Sequence, residues 1–359
     1  MTDALPPSLV FGVPISHVDN DSVVDRIVEL ATLGRQRGTT HQVATVNVDF
    51  LVNGLGDAAV LSILRRADMC LADGMPVVWA ARAFGAPLPE RVAGADLVPR
   101  LIEASARTGL RIHIFGSSAD VAERSTALLH ERYPGARFSI DPGPMIPDPT
   151  HVDDDVLASI AATGADVLLV ALGNPKQERF ITTHRERLGI PVSIGVGGSL
   201  DMLTGERRRA PQAVQRLGLE WVYRAAQEPQ RLGRRYAHDI RVFVPHLLRE
   251  LRSVRGRRDG ADLAITVTGT EIRADLVPNG ADGVHRHDDP AWGDAVSSIT
   301  GGGDASLTIT SGSLAPNDLA AARVAGLVVL ARQHGVTVSS DGVDAWPHPL
   351  RPLGLDLGI

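Results

Sequence analysis

Residues 165–201, ADVLLVALGNPKQERFITTHRERLGIPVSIGVGGSLD, constrain the fold more than any other stretch. Residues 167–172 form an unbroken apolar run, the pattern of a strand buried on both faces. Gly173-Asn174-Pro175 ends that run, and Gln177-Glu178-Arg179 opens a helix that stops at Gly189. Residues 192–196 predict a second buried strand, closed by Gly197-Gly198. Strand, polar turn, helix, strand and glycine turn make a βαβ unit. In such sheets ligands sit at the carboxyl ends of the strands, where both turns fall. The first turn brings Asn174, Lys176, Gln177 and Glu178 together. The second lets backbone approach a ligand at Gly197 and Gly198, with Asp201 just beyond. The expectation is a polar pocket on an apolar frame.

The chain upstream continues the pattern. A first strand is predicted over 11–17. Asp19 or Asp21 can cap a helix over 23–33, which Gly34 ends. A strand over 42–46 leads into TVNVDF, and Asp57 can cap a helix reaching Arg66. Ala72-Asp73-Gly74 reads as a turn before another helix. Residues 96–108 are helical. RIHIFGSS is strand then turn, followed by a helix over 119–132, a strand over 137–140, a proline-dense loop and a helix opened by Asp153-Asp154-Asp155. Alternation of this length implies an α/β fold: a Rossmann-like parallel sheet with helices on both faces. Beyond Asp201 two helices are predicted, over 212–228 and 230–254, broken by Pro229. The expected division is a transferase-sized α/β domain over 1–204, an Arg-rich helical appendage over 205–256, a linker over 257–261 and a small α/β domain over 262–359.

Composition narrows the classes. The single cysteine, Cys70, excludes an internal disulfide, and its apolar neighbours mark it as a buried, inert thiol. No apolar run approaches the ~18 residues of a membrane span. The N-terminus MTDALPPSLV lacks a basic, apolar signal, so a cytoplasmic chain is expected, soluble or peripherally attached. The net charge of −6 is uneven. Residues 205–258 hold 14 Arg against 5 acidic residues, a net of +9, and the rest of the chain beyond them holds 5 Arg against 13, a net of −8. A basic block between acidic ones calls for an anionic partner. Aromatics are only 4%, with no stacking surface, which argues against nucleic acid.

LGNPKQE, GVGGSLDMLTGERRRAP and GLEWVYRAAQEPQRLGRRY, preceded by TVNVDF and LADGMPVVWA, follow one another in an order that resembles the WecG/TagA/CpsF family of glycosyltransferases. The resemblance covers residues 11–251. It implies an inverting, metal-independent enzyme without a cofactor. Such an enzyme moves an N-acetylmannosamine-type or related hexose from a UDP-sugar to a polyprenyl-diphosphate-linked acceptor. The product feeds cell-surface polysaccharide or teichoic-acid-type polymer synthesis at the inner membrane face. It also implies that the basic appendage meets an anionic membrane surface and helps close the active site.

Sugar transfer needs a base, stabilisation of the leaving diphosphate, and alignment. Asp73 is the candidate base; its turn also allows a helix cap, and the resemblance favours the base. Thr45 and Asn47 match pocket positions of the family, or are ordinary strand-end polar groups. Backbone N–H groups at Gly116, Ser117 and Ser118 face a helix N-terminus suited to phosphate, or form a simple turn. Gln177 and Glu178 are candidates for uridine or sugar hydroxyls, or a polar pair opening a helix. Lys176 faces phosphate or solvent. Arg224, Arg231 and Arg235, spaced by 7 and 4, share a face if their helix is continuous, and guanidinium groups match phosphate. Asp19-Asn20-Asp21 and Asp153-Asp154-Asp155 match a metal-binding Asp-x-Asp as strings, but both precede helices and read as caps. His285 to Asp289 read as a loop. FGSSAD has one glycine, which argues against a nicotinamide dehydrogenase. The element order after 262 is similar to STAS-type regulatory domains, although SLAPND replaces their Asp-Ser-Ser-Gly-like switch. This domain is expected to dock a protein partner or to shield the Arg face. A catalytically inactive, nucleotide-sugar-binding scaffold is the alternative to an active transferase.

Overall fold

The computed structural model describes residues 6–205, 210, 211, 214, 220–227, 229–257, 262–268, 270–277, 290–300, 305–310 and 318–341. The chain opens with a hairpin, β1 (Ser8–Val10) and β2 (Val13–Ile15), where one strand over 11–17 was expected. Phe11 and Gly12 both take positive φ, 52° and 70°, the requirement of a tight two-residue turn. Phe11 is held there by its edge-on contact with Phe243, ring centroids 5.2 Å apart.

Then follow α1 (Ser22–Arg37), β3 (His41–Val46), α2 (Val48–Gly56), α3 (Ala58–Arg66), β4 (Met69–Ala72), α4 (Met75–Ala83), α5 (Gly94–Thr108), β5 (Ile112–Gly116), α6 (Ala119–Arg132), β6 (Phe138–Asp141), α7 (Asp154–Ala162), β7 (Val167–Ala171), α8 (Lys176–Leu188), β8 (Val192–Gly195) and α9 (Ser199–Leu203). Helix α1 does not stop at Gly34. It runs to Arg37 and ends on left-handed Gly38. Gly34 is needed for packing instead: a Cβ there would stand 2.7 Å from the Thr39 carbonyl oxygen and 3.0 Å from Pro191.

Six strands form one parallel sheet in the order β4-β3-β8-β7-β5-β6. Successive side chains of a strand point to opposite faces, and both faces are covered. Val167 and Leu169 face a core with Ile27, Leu97 and Leu101. Leu168 and Val170 face Phe115, Phe180 and Ile181. Each such side chain contributes roughly 1.5–3 kcal/mol on burial. Cys70 lies in a third cluster with Phe50, Leu51 and Leu64, and burial pushes its thiol up.

The appendage comprises α10 (Glu220–Gln227) and α11 (Pro229–Arg257). Most of residues 212–219 of the expected first helix lie outside the described residues. Helix α11, 29 residues with Pro245 inside, runs into the expected linker. It spans about 43 Å at the α-helical rise.

The last part builds its own sheet from β9 (Asp262–Thr268), β10 (Glu271–Val277), α12 (Pro290–Thr300), β11 (Ser306–Thr310), α13 (Asp318–Gln333) and β12 (Thr337–Asp341). The order is β12-β11-β10-β9, with β9 and β10 antiparallel and the other neighbours parallel. Leu307, Ile309, Val324, Leu327 and Trp292 fill its separate core. This module docks through α13. Gln333 Nε2 donates to the Asp68 carbonyl at 2.7 Å, and Arg26 Nη2 donates to Gln333 Oε1 at 3.3 Å. Leu9 packs onto the module core. A Cβ on Gly326 would meet Pro7 at 2.7 Å. Asp68 precedes β4, so these contacts lie at the amino edge of the large sheet. Among the described residues these contacts do not reach the arginines of the appendage, where a shield was expected.

Candidate active site

The carboxyl ends of β4, β3, β8, β7 and β5 bring most of the expected site residues to one edge. Asp73 follows β4 directly and its N–H donates to the Val46 carbonyl at 2.8 Å, prolonging the β3–β4 pairing by one residue. Asn47 follows β3 directly. A Cβ on Gly74 would stand 3.8 Å from the Asn47 Cβ, so the two turns lie against each other. Gly74, not Asp73, occupies the cap position of α4. The half-buried Asp73 carboxylate is therefore not the N-cap.

Thr45 and Asn47 each have local work. Thr45 Oγ1 donates to the Gly195 carbonyl at 2.8 Å and ties β3 to β8. Asn47 Oδ1 accepts from Phe50 N at 3.1 Å and caps α2. The cap uses the Asn47 oxygen, so its NH₂ is the group with chemistry to offer a ligand.

Gln177 and Glu178 lie behind the second turn rather than on its surface. Gln177 Oε1 accepts from Gly197 N at 2.9 Å, and Gln177 Nε2 donates to Glu178 Oε1 at 2.9 Å. Both side chains are shut off from solvent. Direct contact with sugar hydroxyls is not what this arrangement offers: the pair fixes the Gly197 turn from below. Burial pushes the Glu178 carboxyl up to about 8, against the Gln177 hydrogen bond. Gly195 leaves the space this pair fills: a Cβ there would run into Glu178 Oε1 and Gln177 Nε2 and force the side chains to shift. Lys176 Nζ donates to the Ile146 carbonyl at 3.3 Å and so ties down the proline-dense loop.

Gly173 has φ 78°, and the Asn174–Pro175 peptide is cis. Asn174 Nδ2 donates to Asp49 Oδ2 at 2.9 Å. Across the edge, Gly116 and Ser117 have φ 100° and 86°. A Cβ on Gly116 would crowd Ala171 and Leu172 at 3.1 Å. Positive φ at a serine costs on the order of 1–3 kcal/mol and persists where the surroundings impose it. Ser118, accepting from Val121 N at 3.3 Å, caps α6 and leaves that helix N-terminus at the sheet edge. Gly198 is the cap of the short α9, and Asp201 is partly buried one turn on.

Residue 228, between the stretches that carry the three expected arginines, lies outside the described residues. Arg224 is on α10, and Arg231 and Arg235 are on α11; the side chains of Arg224 and Arg231 lie outside the described ones. Arg235 Nε is 4.0 Å from Asp49 Oδ1. Three residues were missed from sequence. Asp49 is the partner of both Asn174 and Arg235. Asp239 is buried beside it. Arg91 joins the appendage to the sheet domain, with Nη1 2.6 Å from Glu220 Oε2 and Nη2 3.3 Å from Asp96 Oδ2.

Both Asp-x-Asp strings start helices. Asp19 Oδ1 accepts from Ser22 N at 2.7 Å and Ser22 Oγ at 2.6 Å, and Asp153 precedes α7 while Asp154 pairs with Arg187 at 2.6 Å. Among the described residues no three His, Cys, Asp or Glu side chains gather as a metal site. His285 to Asp289 lie outside them.

A doubly covered parallel sheet with a carboxylate, amides and a helix N-terminus along its carboxyl edge defines an α/β enzyme. Residues 9–257 match the model of the "Glycosyl transferase WecG/TagA/CpsF family", and the chain belongs to that family of glycosyltransferases. It is similar to the N-acetylglucosaminyldiphosphoundecaprenol N-acetyl-beta-D-mannosaminyltransferase of Staphylococcus aureus strain MW2, with 27% identity over 238 residues, 66% of this chain and 91% of the relative. The protein of the same name from strain NCTC 8325 matches over the same shares. The family match ends at residue 257, so it speaks for the sheet domain and appendage and gives no support to a STAS likeness in the module.

Proposed function

We propose that this glycosyltransferase moves an N-acetylmannosamine-type sugar, or a related hexose, from a UDP-sugar to a polyprenyl-diphosphate-linked acceptor, with inversion and without a metal. The carrying observation is Asp73: a carboxylate on the carboxyl edge beside Asn47, with the helix cap taken by Gly74. In this reading Asp73 takes the proton of the acceptor hydroxyl. The acceptor oxygen bonds to C1 of the sugar, and the bond from C1 to the UDP oxygen breaks. UDP leaves with that electron pair. The α6 N-terminus at Gly116, Ser117 and Ser118 and the appendage arginines offset the charge. The relatives' printed substrate supports the acceptor class, a diphosphate-linked lipid.

The lipid acceptor makes the appendage the membrane side of the enzyme. Among the described residues no helix is long and apolar enough to cross a membrane. Helix α11 instead exposes Ile240 (46%), Val244 (41%) and Leu248 (49%) on one stripe, beside exposed Arg241, Arg249 and Arg252. An apolar stripe edged by Arg suits a helix lying in the headgroup layer of an anionic bilayer. In this reading the enzyme sits peripherally on the inner face, and the module, held at the far edge, meets a protein partner.

The test is a turnover assay with UDP-N-acetylmannosamine and an N-acetylglucosaminyl-diphosphate lipid, run with and without excess EDTA. Product without added metal supports the reading. No transfer from any UDP-hexose, or an absolute need for Mg²⁺ or Mn²⁺, overturns it. Vesicle sedimentation checks the membrane part: binding has to require anionic lipid and weaken with salt.

A further inference from the structure

Helix α11 meets the carboxyl edge of the sheet through a shared set of charges. Asp49, in the first turn of α2, divides its carboxylate. Oδ2 accepts from Asn174 Nδ2 at 2.9 Å, and Oδ1 lies 4.0 Å from Arg235 Nε on α11. One turn further along α11 stands Asp239, 3% exposed. Burial first, and the Asp49 charge second, push the Asp239 carboxyl up to about 6, against Arg235 and His238. Two carboxylates, one from each helix, therefore face one guanidinium. On its other side Asp49 holds the turn that follows β7. That turn leads within three residues to Gln177, which fixes Gly197.

We propose that Asp49 is a positioning residue that couples the seating of α11 on α2 to the conformation of the turn at 173–175, so that the basic appendage and the pocket wall close together. Loosening α11 withdraws Arg235 from Asp49. Asp239 leaves with it on the same helix, so Asp49 loses the cation that orients its carboxylate, and the hold on Asn174 weakens. The bond from Asn174 to a carboxylate is charge-assisted and strong for its kind. The Arg235 pair is partly exposed and weak alone. The turn therefore depends on Asp49 directly and on α11 through it. This proposal rests on the carboxyl edge being the sugar-nucleotide site, but its test does not.

Hydrogen–deuterium exchange on the full chain, without ligand, reads the two segments separately. In Asp49→Ala, exchange rises about tenfold in residues 173–179 and about threefold in residues 229–245. Asp49→Asn keeps an acceptor for Asn174 and removes the charge facing Arg235. It brings exchange in the turn down to about the level of Arg235→Ala, well below that of Asp49→Ala, and leaves α11 loosened, a separation that general destabilisation of α2 would not give. Arg235→Ala raises exchange in the turn, about twofold or more, although Arg235 does not touch Asn174. Wild-type exchange in the turn of Arg235→Ala overturns the coupling. So does an Asp49→Asn variant that matches Asp49→Ala in both segments. A parallel thermal-shift titration with UDP separates the two readings: no shift in the wild type counts against the donor site and leaves the exchange result standing.

Discussion

At the amino end of β7, Asp166 is held by donors: Arg111 N at 2.8 Å, Arg35 Nη2 at 2.7 Å and Arg111 Nη2 at 3.3 Å. Burial works to raise its pKa, but the Arg111 hydrogen bonds and the Arg35 and Arg111 charges outweigh burial and keep the carboxyl below its ordinary value. Past the carboxyl end of the same strand, Glu178 is buried with Gln177 as its described donor, and burial pushes it up to about 8. Unpartnered polar atoms do not by themselves separate the two edges. Gln42 Nε2, His113 Nε2 and Ser193 Oγ lack described partners just as Ser117 Oγ, Asn174 Oδ1 and Glu178 Oε2 do. Charge separates them. The amino edge pairs an ionised carboxylate, and at Asp68 it also receives the module. The carboxyl edge keeps Glu178 toward its neutral form, behind a turn of glycines. Edges that hold a fold together and edges that hold a ligand make opposite demands on a buried acid.

The largest test of that contrast is Asp73. Asp73→Ala is expected to cut turnover about 100-fold or more while UDP binding persists; near-normal turnover would sink its role as base. Next comes Glu178→Gln. The folded value of Glu178 lies above its ordinary 4.5, so the native state binds the extra proton between the two. Its contribution to stability is full below pH 4.5 and is lost as pH rises toward about 8. The variant lacks this loss, so urea titrations should move in its favour by up to ~1.4 kcal/mol per pH unit over that window. Parallel curves for variant and wild type would show that Glu178 titrates normally. Asp166→Asn should behave in the opposite sense. The lowered value makes the Asp166 contribution present above the ordinary 3.8 and lost as pH falls through the folded value. The variant should lose about 1–3 kcal/mol at pH 7, and the difference should shrink in acid. A loss that persists unchanged at pH 2 would mean that Asp166 matters for shape and not for charge.

Which parts of this were legible in the sequence follows from how local their causes are. The β7–α8–β8 unit was legible to within a residue, because apolar runs and Gly189, left-handed at φ 61°, act locally. The hairpin was not, because a phenylalanine at positive φ is imposed by Phe243, far along the chain. The end of α1 was missed because Gly34 looks like a stop until Thr39 and Pro191 are seen against it. At the site, the motifs marked Asp73, Asn47, Asn174 and Gln177. What they bind was hidden: Asn174 and Asp49 are 125 residues apart, and Arg91 and Glu220 are 129 apart. No spacing rule reaches so far, so Asp49 passed as an ordinary member of TVNVDF.

The smallest effect tests whether the edges are independent at all. Gln333 bridges the module to the Asp68 carbonyl and takes Arg26 on its oxygen. Gln333→Ala removes both hydrogen bonds and should weaken docking by about 1 kcal/mol, seen as faster proteolysis between the module and α11. Turnover should stay within about twofold, since additivity holds for distant sites without shared partners. Helix α11 is the route by which this could fail. It begins at the carboxyl edge beside Asp49 and leads, some 43 Å later, into the first strand of the module. A module that pulls on α11 when released would disturb Arg235 and then Asn174. In that case Gln333→Ala would change turnover and also raise exchange in residues 173–179. Joint movement of the two readouts would make the amino edge a control point for the site. Unchanged turnover with a loosened module would leave it an anchor, and the difference between the two ends of β7 would then be a true division of labour.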